Sequence, residues 1–118
     1  MSIDSIRPIT KDGATCVVPP LSDYTSASPD WTEVEYQCFR TAGGSFGGCW
    51  EGESGEVSFD RWPYGEACVL LSGRIALVDT SGNRREFGAG EAFYIPVGFS
   101  GRWITLEPTK KIFVAIRG

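Results

Sequence analysis

Short segments of alternating polarity, separated by glycine and proline turns, constrain this chain more than any other feature. Residues 56–62 and 66–71 place apolar and polar side chains on opposite faces, as half-buried strands do. Turn signals follow at Gly73, at residues 80–83 and at residues 88–90. The sequence predicts roughly eight to ten short strands and no helix of 3.6-residue period, which favours an antiparallel sandwich or barrel.

The length of 118 residues fits one domain. Residues 1–30 contain four prolines and are predicted to form an irregular N-terminal arm with one short strand at residues 14–18. We expect this arm either to be loosely ordered or to pair with a sheet edge, in its own chain or in a partner subunit. Residues 31–118 are predicted to form the β domain.

The net charge and the lengths of the apolar runs argue against nucleic-acid and membrane partners. The formal net charge is −4 and the sequence pI about 4.8, so the chain lacks the positive footprint that nucleic-acid binding requires. No apolar run has the length of a membrane span, and the first residues lack the apolar core of a signal peptide. We therefore expect no nucleic-acid partner, no membrane association and a cytoplasmic location.

The cysteine and histidine content limits the chemistry. The chain has no histidine, and its four cysteines form no CxxC pair, which excludes the usual zinc ligand sets and histidine acid–base catalysis. We expect all four cysteines to be reduced and mostly buried thiols.

Strand parity identifies candidate site residues. Within residues 33–38, one face carries the apolar side chains and the other face carries Glu33, Glu35 and Gln37. Arg61 shares the parity of two apolar neighbours and is predicted to point inward, where its planar donors would suit a carboxylate, phosphate or ureido group. The alternative is an internal ion pair between Arg61 and Glu66.

The glycine and proline framework resembles the two consensus motifs of the cupin family. The matching positions are Gly55, Arg61, Pro63, Glu66 and Gly73 in the first motif, and Gly90, Pro96, Gly98, Gly101 and Thr105 in the second. Cupins place metal-binding histidines where this chain has Arg61, Pro63 and Gly101. Only Glu66 remains of the four metal-ligand positions. The resemblance therefore implies a cupin domain, over residues 31–118, without a metal or other cofactor.

Residues 45–117 are most similar to small single-domain cupins related to ureidoglycine aminohydrolase and to the ethanolamine-utilisation cupins. The segments that carry this similarity include Gly48-Cys-Trp50, Ile95-Pro-Val-Gly-Phe99 and Gly101-Arg-Trp103. The resemblance implies an all-β, RmlC-like jelly roll, that is, a double-stranded β-helix barrel, and a homodimer. It does not imply one chemistry, because one fold hosts many functions.

These residues suggest one site with several interpretations. Catalytic candidates are Glu66 as acid or base and Lys111, which would act as a base or form a Schiff base if desolvated. Ligand-binding candidates are Arg61, Glu66, Tyr64, Tyr94, Trp50 and Trp103. A metal site rebuilt from Glu66, Cys68 and Glu51 is a less favoured alternative.

Three functions remain open. The first is a metal-free barrel that binds a small polar or anionic metabolite. The second is a small-molecule enzyme of the hydrolase, isomerase or lyase type, similar to ureidoglycine aminohydrolase, that uses Glu66 as acid or base. The third is a dimeric structural or regulatory subunit whose barrel is packed shut. An unpaired Glu66 in an open pocket would favour the enzyme, and a filled pocket would favour the subunit.

Overall fold

The computed structural model describes residues 1–117, which form nine β-strands and two short 3₁₀ helices, Ile3–Ser5 and Leu21–Asp23. The strands are β1 (Thr15–Val17), β2 (Ser26–Ala27), β3 (Glu33–Arg40), β4 (Phe46–Gly52), β5 (Gly55–Phe59), β6 (Gly65–Asp79), β7 (Arg84–Gly88), β8 (Ala92–Ile95) and β9 (Gly101–Ile116). The described residues contain no α-helix, and the predicted all-β jelly roll is confirmed.

The two long strands, β6 and β9, organise the topology. They pair antiparallel from Gly65 opposite Ile116 to Asp79 opposite Gly101. One half of this pair lies in a sheet of order β1-β3-β4-β9-β6-β8, and the other half lies in a sheet of order β2-β5-β9-β6-β7. The hydrophobic core draws side chains from both sheets, such as Trp50 from β4 and Val57 from β5.

Strand β6 continues through Gly73, where the sequence predicts a turn, and β9 continues through Pro108, a residue that is unusual inside a strand. Gly73 has a φ of +89°, and the strand register shifts around it. A Cβ atom at this position would lie 2.4 Å from the Pro108 carbonyl oxygen and 2.2 Å from the Thr109 hydroxyl oxygen. Gly73 therefore forms a bulge that accommodates Pro108, so the chain bends without ending either strand.

The N-terminal arm pairs with edges of its own chain, one of the arrangements expected for it. β1 pairs with β3, and β2 pairs with β5. Between these strands, Tyr24 reaches into the barrel and donates a hydrogen bond from its hydroxyl to Glu33 Oε2. The arm thereby contributes to the interior of the domain. Within residues 1–117, no helix has both the length and the apolar character of a membrane span.

The expectation that most cysteines are buried is wrong. All four are free thiols, but only Cys68 is buried, while Cys16 is exposed and Cys38 and Cys49 are half-buried. Cys16 lies opposite Tyr36, which lies opposite Cys49. These residues alternate with cavity-lining ones, so the strand parity places them on the outer face of their sheet.

Candidate functional site

A cavity of about 490 Å³ lies within the barrel and is lined by side chains from both sheets and from the N-terminal arm. Strand register brings Val17, Glu35, Trp50 and Lys111 into one row across β1, β3, β4 and β9. All four line the cavity. Neighbouring strands are about 4.8 Å apart, so the backbones of Glu35 and Lys111 are roughly 10 Å apart, with Trp50 between them.

A buried ion pair forms part of the cavity wall. Lys111 Nζ lies 2.7 Å from Glu66 Oε2, and the two side chains are 7% and 4% exposed. The Cys68 thiol donates to the same oxygen at 3.0 Å. The ammonium also lies 4.3 Å from the ring centroid of Trp103 and 4.9 Å from that of Trp50, within cation–π distance.

The electrostatics of this pair keep the lysine charged. Burial alone would lower the pKa of Lys111, but the Glu66 carboxylate outweighs it and raises that pKa above its ordinary value. Burial also raises the pKa of the Cys68 thiol. A protonated lysine is not a nucleophile, and a neutral thiol is a poor one. The geometry therefore favours a fixed positive charge over a reactive lysine.

A second buried carboxylate, Glu33, is held by three neutral donors. Its Oε2 accepts from the Trp31 indole at 2.9 Å and from the Tyr24 hydroxyl, and its Oε1 accepts from the Trp50 indole at 2.8 Å. Burial and the nearby Glu33 raise the pKa of Tyr24, so its hydroxyl remains a donor. These bonds fix Glu33 in the cavity wall without a cation.

Glu35 is the third carboxylate of the cavity. It is half-buried, and its Oε2 accepts from the Gln37 amide at 2.7 Å. Burial raises its pKa above the ordinary value, and the Gln37 hydrogen bond opposes this effect only in part. Among the ion pairs of the described residues, none includes Glu33 or Glu35. The cavity interior thus carries three carboxylates and one ammonium.

The structure brings five of the predicted site residues together. The residues that line the cavity are Trp50, Tyr64, Glu66, Trp103 and Lys111. Arg61 reaches only the rim. Strand β5 ends at Phe59, so inward parity no longer applies at Arg61, which has a φ of +56° and an exposed side chain. The predicted pairing of Arg61 with Glu66 is wrong, because Lys111 is the partner of Glu66.

Tyr94 lies outside the cavity. It is 56% exposed and stands opposite Ala67, whereas the neighbouring Phe93 stands opposite the buried Cys68. Its ring borders a separate depression between β7 and β8. Parity along β8 explains the difference, because Phe93 and Ile95 take the inward positions.

Sequence reasoning missed the acidic side of the cavity. It assigned the apolar face of β3 to the interior, but Glu33 and Glu35 line the cavity. The arm residues Val17 and Tyr24 also line it, although no function was predicted for the arm. One available signal was Trp31, a large aromatic residue that shares strand parity with both glutamates.

The residues at the cupin metal positions do not fit a metal ion. A Cβ at Gly101 would lie 2.0 Å from the Val78 carbonyl oxygen, so no ligating side chain can stand there. Glu66 Oε2 is bonded to Lys111, and Glu51, the proposed extra ligand, is ion-paired with Lys11. Across residues 1–117, no group of three His, Cys, Asp or Glu side chains could hold a metal. The geometry therefore gives no support to the alternative of a rebuilt metal site.

Replacing Tyr24 with phenylalanine tests whether the arm is anchored to the barrel wall. The change removes one donor to a buried carboxylate, and we expect it to lower the free energy of unfolding by about 1–2 kcal/mol. Urea denaturation followed by circular dichroism measures the loss. The matched control is Tyr94→Phe, because the Tyr94 hydroxyl lies outside the cavity. This variant should change the free energy of unfolding by no more than about 0.5 kcal/mol. Equal effects of the two variants would contradict the anchoring role.

Comparison with known proteins agrees with the fold. The sequence profile of the EutQ-like cupin domain matches residues 41–113. No curated protein matches the chain.

Solved structures share the architecture at low sequence identity. The EutQ protein of Clostridium difficile is 17% identical with a TM-score of 0.68, over 83% of this chain and 79% of that one. A cupin 2 conserved barrel domain protein from Rhodopseudomonas palustris is 14% identical with a TM-score of 0.66, over 96% and 82%. The polyketide cyclase RemF from Streptomyces resistomycificus is 18% identical with a TM-score of 0.64, over 93% and 78%. Identities this low support the jelly-roll fold alone.

Proposed function

The chain belongs to the family of EutQ-like cupin domains, and from this premise we propose that it is a metal-free cupin that binds a small polar metabolite inside its barrel. The observation that carries the proposal is the cavity itself. Its volume of about 490 Å³ falls within the range typical of small-molecule sites. Its wall combines aromatic rings with a few fixed polar groups, as such sites do.

The burial and the contacts of Glu66 distinguish a binding function from a catalytic one. A general acid or base must be able to reach the substrate and exchange a proton with it. Glu66 is instead 3% exposed and bonded to both Lys111 and Cys68. These contacts favour the binding function over the enzyme alternative of the ureidoglycine aminohydrolase type. RemF is a cyclase, but at its low identity the comparison supports only a shared fold.

The remaining space in the barrel weighs against a purely structural subunit. Trp103 and Phe59 are buried and line the cavity, yet they do not fill it. The buried indole nitrogen of Trp62, on the same wall, has no hydrogen-bond partner among the described residues. A ligand oxygen that accepted this bond would remove the cost of the unpaired donor.

We further propose that the protein is a homodimer and that it is located in the cytoplasm. Exposed apolar side chains on β6 and β8, namely Val69, Leu71 and Tyr94, support association through this part of the surface, because contiguous exposed apolar side chains are typical of interaction sites. A chain mass of 12.9 kDa makes monomer and dimer easy to separate. Native mass spectrometry of the purified protein should give the mass of two chains.

A ligand screen with a blocked cavity tests the binding function. Val17 lines the cavity from the edge strand β1, so Val17→Trp should fill its mouth with little effect on the fold. We expect at least one compound in a panel of small amines, amides, ureides, carboxylates and phosphates to raise the melting temperature of the wild type and not of this variant. Elemental mass spectrometry of the same preparation should show metal well below one ion per chain.

Either of two results would contradict this function. Failure of every compound to shift the wild-type melting temperature would leave the barrel without a ligand. Equal shifts in Val17→Trp and the wild type would place binding outside the cavity. Stoichiometric metal would overturn the metal-free part of the proposal.

A further inference from the structure

We infer that the ligand of this cavity is a small organic ammonium ion, held by Glu35 and Glu33 on one side and by aromatic rings on the other. This inference rests on the proposed binding function and names its ligand class. It replaces the anionic ligand that Arg61 was expected to bind, because that side chain is exposed at the rim.

Charge is the first argument. Inside the cavity, Lys111 neutralises Glu66 at 2.7 Å. Glu33 and Glu35 line the same cavity, and neither takes part in an ion pair among residues 1–117. The charged groups at the rim, Asp23, Asp60, Arg61 and Arg117, carry two charges of each sign and cancel. The cavity as a whole therefore favours a cation over an anion.

The position of Glu35 is the second argument. Trp50 separates its strand from the strand of Lys111, so the lysine neutralises the nearer Glu66 and not Glu35. The Glu35 carboxylate is half-buried with one neutral donor, Gln37. A carboxylate removed from water in this way gains most from a partner that brings both a charge and a hydrogen bond. A primary or secondary ammonium supplies both.

The aromatic lining is the third argument. All four tryptophans of the chain, Trp31, Trp50, Trp62 and Trp103, line the cavity. Indole faces are the best of the aromatic partners for a cation. The barrel already binds one ammonium in this way, because Lys111 Nζ lies over Trp103 and Trp50. The same wall chemistry suits an ammonium that enters from outside.

A matched series of probes tests the ligand class. Intrinsic fluorescence is the readout, since every tryptophan lies on the cavity wall. Butylammonium, butanol and butyrate share one carbon skeleton and differ in charge. We expect butylammonium to change the emission with saturation, and butanol and butyrate to bind at least about tenfold more weakly. Tetramethylammonium, which offers charge without an N–H donor, should bind more weakly than butylammonium.

Glu35→Gln identifies the carboxylate that binds the ammonium. We expect this variant to weaken butylammonium binding by about tenfold or more, while the matched control Glu53→Gln, which removes an exposed carboxylate, leaves binding unchanged. The variant should also raise the melting temperature of the ligand-free protein at neutral pH. If Glu35 binds the ligand at a cost in stability, Glu35→Gln should both weaken butylammonium binding and raise the melting temperature. If Glu35 has only a structural role, the same variant should have a lower melting temperature than the wild type.

The pH dependence follows from the raised pKa of Glu35. The folded state holds the proton of this group more tightly than the unfolded state does, so its ionisation costs stability as the pH rises from 4.5 through the raised pKa. The stabilisation by Glu35→Gln should therefore disappear below the ordinary glutamate pKa. The titratable groups that face Glu35 are Glu33 on β3, Glu66 on β6, Lys111 on β9 and Tyr64.

Distinct outcomes overturn the inference without overturning the binding function. Saturable binding of butyrate in place of butylammonium would keep the ligand site and reverse its charge class. Undiminished butylammonium binding by Glu35→Gln would remove this residue from the site. Binding of Ca²⁺ or Mg²⁺ with the same loss in Glu35→Gln would assign the carboxylates to a metal. Absence of any response, together with a negative ligand screen, would reject both proposals.

Discussion

Replacement of Lys111 by methionine is expected to lower the free energy of unfolding by about 3–5 kcal/mol, because it leaves Glu66 buried and unpaired. The side chain of Glu66 is 4% exposed, and Lys111 Nζ is its cationic partner. The variant also loses the contacts of the ammonium with the Trp50 and Trp103 rings. Urea denaturation at neutral pH measures the loss.

Two further variants separate the ion pair from general effects of the substitution. Lys110→Met makes the same change at the neighbouring position, whose side chain is 61% exposed, and should cost less than about 1 kcal/mol. The double variant Lys111→Met, Glu66→Gln removes the charge from both partners and should recover much of the lost stability. A double variant as unstable as Lys111→Met would mean that packing around the lysine stem, rather than the stranded charge, causes the loss.

Replacement of Gly73 by alanine is expected to cost about 3–5 kcal/mol. The left-handed backbone conformation accounts for about 1–2 kcal/mol of this loss, since the φ is +89°. The contact of the new methyl group with backbone atoms of Pro108 and Thr109 accounts for the rest, as overpacking does. Chemical denaturation of the variant and the wild type gives the difference.

Gly90 provides the matched control for this change. Its φ of +85° is nearly the same, but a Cβ there has no neighbouring atom within 4 Å. Gly90→Ala should therefore lose only the conformational contribution, about 1–2 kcal/mol. Equal losses at the two glycines would contradict the close approach of β9 to the bulge.

The fold was predictable because it depends on local patterns. Alternation and turn residues predicted the all-β architecture, and the positive φ of Gly82 confirms the predicted hairpin turn at residues 80–83. Parity failed beyond the end of β5, at Arg61, where a left-handed residue turns the side chain outward. The bend at Gly73 was mistaken for a strand end because a bulge and a turn both require glycine.

The site was less predictable because its contacts are remote in sequence. Glu66 and Lys111 were each identified as site residues, but the sequence did not show that they pair, because one lies on β6 and the other on β9, 45 residues apart in the chain. The role of Glu33 depends on Tyr24 and Trp50, one from the arm and one from β4. A single sequence indicates which face of a strand is apolar, and it does not indicate that aromatic donors from elsewhere will make an acidic face the inner one.

The shared strands β6 and β9 have a consequence for how this domain unfolds. Each strand belongs to both sheets, so neither sheet can separate from the barrel while the other stays intact. The cavity therefore has no independently melting half. Lys111 lies three residues beyond Pro108 in the same strand, β9. A change in the backbone at the bend is therefore expected to shift the Lys111 ammonium as well. Partial opening of the barrel and loss of the cavity are therefore expected to occur as one cooperative event.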